Sequence, residues 1–215
     1  MKFSTAGIDC FLQKIEPDAV PITAAITAAT NAKPAVITVD DATEILPEML
    51  VTVTGTNTAL DGRSYIAEDV TANAVTLRGS DLSQNTSTVT AGTLTGIEDA
   101  DMLRFCLSSY ERAVDAADAI DVSTFCGSES LAGTPLPGNV SIEGFIDYSV
   151  EAYNEWLKGV VDGQQRLFHI VLPKDIGDIL LVITPSGITE TFAVNEAAAF
   201  SGEAVINQQP VYMVS

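Results

Sequence analysis

One stretch of this chain carries apolar residues at helical spacing. From Val150 to Val161, the residues Tyr153, Trp156, Leu157 and Val160 recur three and four apart, which lines one side of a helix with apolar groups. Gly163 stands just beyond, where a left-handed terminating residue is wanted. Elsewhere the apolar residues come in short β-type runs divided by turn formers. A chain of 215 residues written this way has few options: β layers packed together, with one helix covering apolar sheet surface.

Two β styles follow one another. From Ile22 to Thr95, threonine fills 16 of 74 positions. Ala35–Val39, Leu50–Thr54, Ser64–Ala67, Ala74–Leu77 and Ser87–Thr90 are expected strands. Asn57, Asp61-Gly62, Asn73, Gly79-Ser80 and Gln84-Asn85 supply the turns between them. Short strands at this spacing predict a small all-β barrel or sandwich. After Gly96, strands are expected within Asp101–Glu111 (with Leu103, Phe105 and Leu107 on one face) and at Asp121–Phe125 and Asn139–Tyr148. Beyond the helix they are expected at Leu167–Leu172, Ile179–Thr184, Gly187–Asn195, Gly202–Asn207 and Val211–Val214.

A weak alternation over residues 3–15 gives a first strand with no partner in the Thr-rich stretch. The expectation is therefore a discontinuous core domain, 1–20 and 96–215, interrupted by an inserted all-β domain, 21–95. Chain ends that lie close together make such an insertion tolerable. Two domains in tandem are the alternative.

The charge is one-sided: 29 acidic residues against 10 basic ones, net −19. Residues 96–215 hold 18 acids and 5 bases, residues 21–95 hold 8 and 3, so the bias falls mainly on the C-terminal part. A basic footprint for gripping phosphates is missing, which excludes ordinary DNA or RNA binding. Acidity serves solubility by self-repulsion, or it keeps a surface from sticking to a neighbouring polyanion. Only 18% of residues are charged, low for a soluble surface, and such chains often bury surface against copies of themselves. Cys10, Cys106 and Cys126 form neither a C-x-x-C nor a Cys/His metal pattern. An odd count without such spacing predicts reduced thiols and synthesis in a cytoplasm. No 18-residue apolar run exists, so no membrane anchor is expected.

Reactive groups are sparse. The single histidine, His169, lies in an apolar strand pattern without a nucleophile motif around it. Glu111, Asp115, Asp118 and Asp121 form an acidic run without the alternation, glycine and distal glutamate of a calcium loop. Glu143 and Asp147 are four apart, which places both on one face of the expected strand Asn139–Tyr148. Paired carboxylates can hydrolyse glycosides, but these sit among Ile142, Phe145 and Ile146 without an aromatic sugar platform. A wet acidic wall is the better reading. No catalytic residue, metal or cofactor is expected.

Asp121-Val122-Ser123-Thr124-Phe125-Cys126-Gly127, the Gly/Ser/Pro stretch after it, Asn139–Tyr148, Tyr153-Asn154-Glu155-Trp156-Leu157 and Leu167–Pro173 occur in an order that resembles the major tail tube protein of long-tailed bacteriophages. The resemblance covers residues 1–16 and 96–215. Ile26–Val39, Val51-Thr52-Val53-Thr54-Gly55, Leu60–Tyr65 and Ala74–Leu77 resemble the small β-barrel module of ubiquitin-activating enzymes. Asp61 stands where asparagine is common, and the stretch holds no catalytic cysteine.

The resemblance implies a mainly β fold: a tail-tube β-sandwich or partial barrel with one α-helix, plus an inserted small all-β domain. It further implies a virion structural protein whose six copies form a ring around a shared inner β-barrel, the rings stacking into a tube. Its partners would be further copies of itself, a tape-measure protein, and tail terminator and baseplate proteins. DNA would pass through the lumen at ejection without specific binding. Glu143 and Asp147 are the candidate lumen residues. Leu131, Pro135 and Leu136, in an expected loop Gly127–Gly138, are the candidate ring-to-ring contacts. The alternative is a surface-exposed β-domain that recognises a glycan or receptor.

Overall fold

A computed structural model describes residues 9–16, 20–86, 88–113, 119–124, 127–132, 138–172, 177–194, 197–208 and 210–213. The fold is mainly β with one helix, as expected.

Six strands close into a barrel in the order β2-β3-β6-β5-β4-β7. They are β2 (Ile22–Ala29), β3 (Ala35–Val39), β4 (Leu50–Thr54), β5 (Arg63–Thr71), β6 (Ala74–Arg78) and β7 (Thr93–Ile97). Closure leaves no unpaired edge, and alternation turns Ile26, Ile37, Val53, Val75, Leu77 and Leu94 inward. Strands β3 and β4 match expectation residue for residue. The expected strand at Ser87–Thr90 is not formed by its described residues; Thr93–Ile97 takes that place and pairs with both β2 and β4.

A second sheet runs β8-β1-β13-β14-β15-β12-β9, with β16 beside β14. Its members are β1 (Asp9–Gln13), β8 (Met102–Phe105), β9 (Ser109–Ala113), β12 (Asn139–Phe145), β13 (Arg166–Val171), β14 (Asp178–Thr191), β15 (Ala199–Ile206) and β16 (Val211–Met213). Strand β1 lies between β8 and β13, on both sides in antiparallel register. The strand that precedes the barrel in sequence is thus hydrogen-bonded to the one that follows it, and Lys14 N donates to Asp101 O at 2.7 Å.

The sequence predicts separate strands at Ile179–Thr184 and Gly187–Asn195; one strand, β14, spans the first and the second as far as Thr191, and its register shifts between Pro185 and Gly187. Proline cannot donate to a ladder and is tolerated at a bulge. The bulge bends the sheet onto itself. Phe105 of β8 stacks on Phe200 of β15 with centroids 5.8 Å apart, although four strand spacings in a flat sheet would separate them by about 19 Å. The two layers and helix α1 (Glu151–Asp162) enclose one core, with Leu12, Phe168 and Ile170 from one layer, Ile142 and Phe200 from the other, and Tyr153 and Trp156 from the helix. Gly163 ends α1 in the left-handed region, φ 64°.

Strand β13 is covered on both faces. Phe168 and Ile170 face this core, while Leu167, with Leu180, Val211 and Met213, packs into the core of the barrel. The layers therefore follow in order: barrel, the β13 layer, the shared core, the β12 layer.

Arg166 pins the helix to the sheet. Its side chain is fully buried. Nε and Nη2 donate to Glu155 Oε1 at 3.0 and 2.8 Å, Nη1 and Nη2 to Asp162 at 3.0 and 2.7 Å, and Nη1 also to Gln164 O at 2.9 Å. All five guanidinium donors are thereby used.

Strands β10 (Ala119–Thr124) and β11 (Gly127–Ala132) pair as a separate antiparallel ribbon. The first half of the expected loop Gly127–Gly138 is thus a strand: its backbone groups pair with Ala119–Thr124 instead of looping over a surface.

Candidate functional site

The far face of the β12 layer is open. Burial alternates strictly along β12, with Val140, Ile142 and Gly144 inside and Asn139, Ser141, Glu143 and Phe145 exposed. The register extends this face sideways. Ser141 lies between Glu111 of β9 and Glu203 of β15, and Glu143 lies between Ser109 and Ser201. Gly187 and Thr189 of β14 continue it beside Glu203 and Ser201.

Three glutamates thus share one exposed surface. Glu111 and Glu203 stand two strand spacings apart, about 10 Å, and Glu143 is diagonal to each at about 7–8 Å. Serines and other small residues fill the space between. No basic residue lies on this face among the described residues: Arg112, the base of β9, sits opposite Val140 and points to the covered side. Like charges at this spacing repel one another and any polyanion brought against them.

Of the two carboxylates expected to share a strand face, only Glu143 lies on it. Strand β12 stops at Phe145, short of the expected Tyr148, and Asp147 sits in the following turn. There Asp147 Oδ1 accepts hydrogen bonds from Ser149 N at 2.9 Å and Ser149 Oγ at 2.6 Å. These bonds hold its carboxyl below the usual carboxylate range. Period-2 reasoning fails here because the turn needs a side-chain acceptor. Nothing in the sequence marks Glu111 and Glu203 as partners of Glu143, since only strand register brings them together.

Leu131 lies in β11 opposite Ile120, and Asp121 in β10 opposite Ser130. Pro135 and Leu136, with Asp115 and Asp118, fall outside the described residues. His169 is a half-buried residue of β13, its Nε2 3.5 Å from Asp178 Oδ2. Burial pushes its imidazole pKa down against the opposing pull of Asp178. Cys10 is buried in the sandwich core, which pushes its thiol up to about 12; Cys106 is exposed. Among the described residues no group of His, Cys, Asp and Glu is arranged to hold a metal ion, and no helix is long and apolar enough to cross a membrane. A groove of about 730 Å³ beside the barrel is lined by Val20, Leu46, Pro47 and Met49 and rimmed by Glu44, Glu98 and Asp99.

No family model matches this sequence, and no curated protein matches it. Among solved structures, a chain of the virion of a native gene transfer agent particle is similar at 16% identity and a TM-score of 0.42, over 50% of this chain and 85% of that one. A chain of the tail of an empty gene transfer agent particle, with C6 symmetry, is similar at 17% identity and a TM-score of 0.41, over 50% and 82%. A likeness this loose carries no functional argument.

Proposed function

We propose that this chain is a structural protein of a phage-type tail, whose copies close into hexameric rings that stack into the tail tube. The observation that carries the proposal is the exposed sheet face with Glu111, Glu143 and Glu203 and no base among its described residues. Turned toward a lumen, such a surface repels DNA phosphates, so DNA slides past it without binding.

Two further features support the reading. Strands β8 and β9 end the sheet without a further partner among the described residues, and open edges call for another chain to cover them. A head-to-tail contact that closes makes a ring. The barrel packs on the side of the β13 layer away from the acidic face, so a face turned inward puts the barrel on the outside of a tube. Residues 1–20 and 96–215 would then be the tube-forming domain and 21–95 an inserted outer domain, with little room for a contractile sheath. Glu143 lines the wall together with Glu111 and Glu203, and Asp147 marks its end. Leu131, Pro135 and Leu136 contact the next ring. A tape-measure protein fills the lumen before ejection, and terminator and baseplate proteins close the ends. The chain works in the virion and needs neither catalysis nor a cofactor.

Negative-stain electron microscopy of the concentrated protein tests this. Hollow rings or tubes are expected. A small particle that stays monodisperse across concentration and salt would overturn the proposal and favour a ligand-binding surface domain.

A further inference from the structure

Edge strand β9 holds two buried donors with nothing to donate to among the described residues. On β9, Tyr110 and Arg112 point toward the covered side, opposite Ile142 and Val140. The Tyr110 hydroxyl and Arg112 Nη1 are buried atoms without a hydrogen-bond partner among the described residues. The Arg112 guanidinium stands 5.2 Å over the ring of Tyr212 on β16, which is half exposed, and the Tyr110 ring is 6.2 Å from Phe168. Burial raises the Tyr110 hydroxyl pKa to about 12, so the phenol remains a proton donor at every physiological pH.

An orphaned buried donor is costly, more so when it is charged. The other described lysines and arginines have partners. Lys14, Lys33, Arg78, Arg104, Lys158 and Arg166 each hold a carboxylate, and Arg63 has a partner as well. Arg112 makes no ion pair among the described residues, in a protein with 29 acidic side chains and 10 basic ones. Tyr212 offers the Arg112 guanidinium a cation–π contact, which leaves Nη1 to be satisfied by a hydrogen-bond acceptor such as a carboxylate. Strand β9 is an edge of the sheet, so the approach to this pair lies at the rim of the fold.

We infer that Arg112 and Tyr110 form a socket for a carboxylate from a second copy of this chain, with Tyr212 as its aromatic wall. Charge complementarity selects this occupant, because every copy carries a surplus of carboxylates and this socket supplies a cation that has no ion-pair partner among the described residues. The inference rests on the self-assembly proposed above and names one contact that holds copies together.

The test is sedimentation velocity of the full chain and of Arg112→Gln over a concentration series, paired with urea unfolding of each. The substitution is expected to weaken self-association about tenfold or more while leaving the unfolding midpoint unchanged or raised, since it removes an orphaned charge from the free subunit. Wild-type association should weaken with salt more steeply than that of the variant. Association unchanged by Arg112→Gln, or a marked loss of folding stability in it, overturns the inference. A second readout is the Arg112 Nε resonance in the wild-type protein. It is expected to shift with protein concentration; a shift with added acetate but none with protein concentration means a site for small carboxylates and overturns the second copy as occupant. Tubes that form regardless of Arg112 would leave the tail proposal standing and remove this contact. Association through Arg112 without tubes would do the reverse.

Discussion

Arg166 and Glu155 face each other as buried opposite charges: the guanidinium of β13 donates twice to one carboxylate oxygen of α1, at 3.0 and 2.8 Å. The same oxygen accepts Ile15 N at 3.2 Å, and Lys158, one turn along the helix, donates to Ile15 O at 2.6 Å. Helix, sheet and the segment leading into the barrel meet at one ion pair. Removing one member of a buried pair strands the other. Arg166→Met is therefore expected to cost about 3–5 kcal/mol, read as a lower urea midpoint. Replacing Arg166, Glu155 and Asp162 together by apolar residues should cost less than the sum of the single changes.

Trp156 fixes the size of the residue beneath it. A Cβ on Gly202 would meet the indole at 2.9 Å and Ile142 Cγ1 at 3.0 Å. Both neighbours are fully buried, and a packed core does not make room freely. Gly202→Ala should destabilise by about 1–3 kcal/mol through overpacking, with a blue shift in the fluorescence of the single tryptophan absent.

The acidic face should tolerate reversal of sign without harm to the fold. Each of Glu111→Lys, Glu143→Lys and Glu203→Lys is expected to change stability by no more than about 0.5 kcal/mol. The triple variant should retain DNA in a gel-shift assay at low salt and release it as salt rises, while the native protein retains none. A triple variant that still ignores DNA would show that this face does not set the protein's indifference to polyanions.

His169 gives stability a pH dependence of known sign. Burial depresses its folded-state pKa below the ordinary 6.5, so the unfolded chain binds the proton more readily. Its neutral form is accommodated fully above about 6.5, and stability falls as pH drops through that value toward the folded-state pKa. Urea midpoints measured from pH 8 down to pH 5 should decline, and His169→Gln should flatten that part of the profile.

Local signals made much of this fold readable. Ala35–Val39 and Leu50–Thr54 are β-branched runs bounded by turn formers, and helix α1 announces itself by Tyr153, Trp156 and the terminating Gly163. Strand β2 was hidden because Ile22–Ala29 is half alanine, a poor β-former that pairs here because the barrel needs it. The β10–β11 ribbon reads partly as loop in the sequence because glycine and serine crowd Gly127–Ala132. The acidic face was a third legible. Glu143 shows itself by alternation, but Glu111 and Glu203 become its neighbours only through register on both sides of Ser141. The Arg166 clamp gives no local sign, since an arginine opening a strand reads as surface until Glu155 and Asp162 are folded over it.

The placement of β1 sets a timetable for synthesis. Gln13 accepts a hydrogen bond from Leu167 N across 154 residues of sequence. At about 5–20 residues per second, β1 is made roughly eight to thirty seconds before its β13 partner exists. The barrel strands all lie within residues 22–97 and can pair much sooner, although Leu167, Leu180, Val211 and Met213 join their core only later. The barrel strands thus have their partners while both borders of β1 stay vacant, and the sandwich sheet is completed only once β13 has been made.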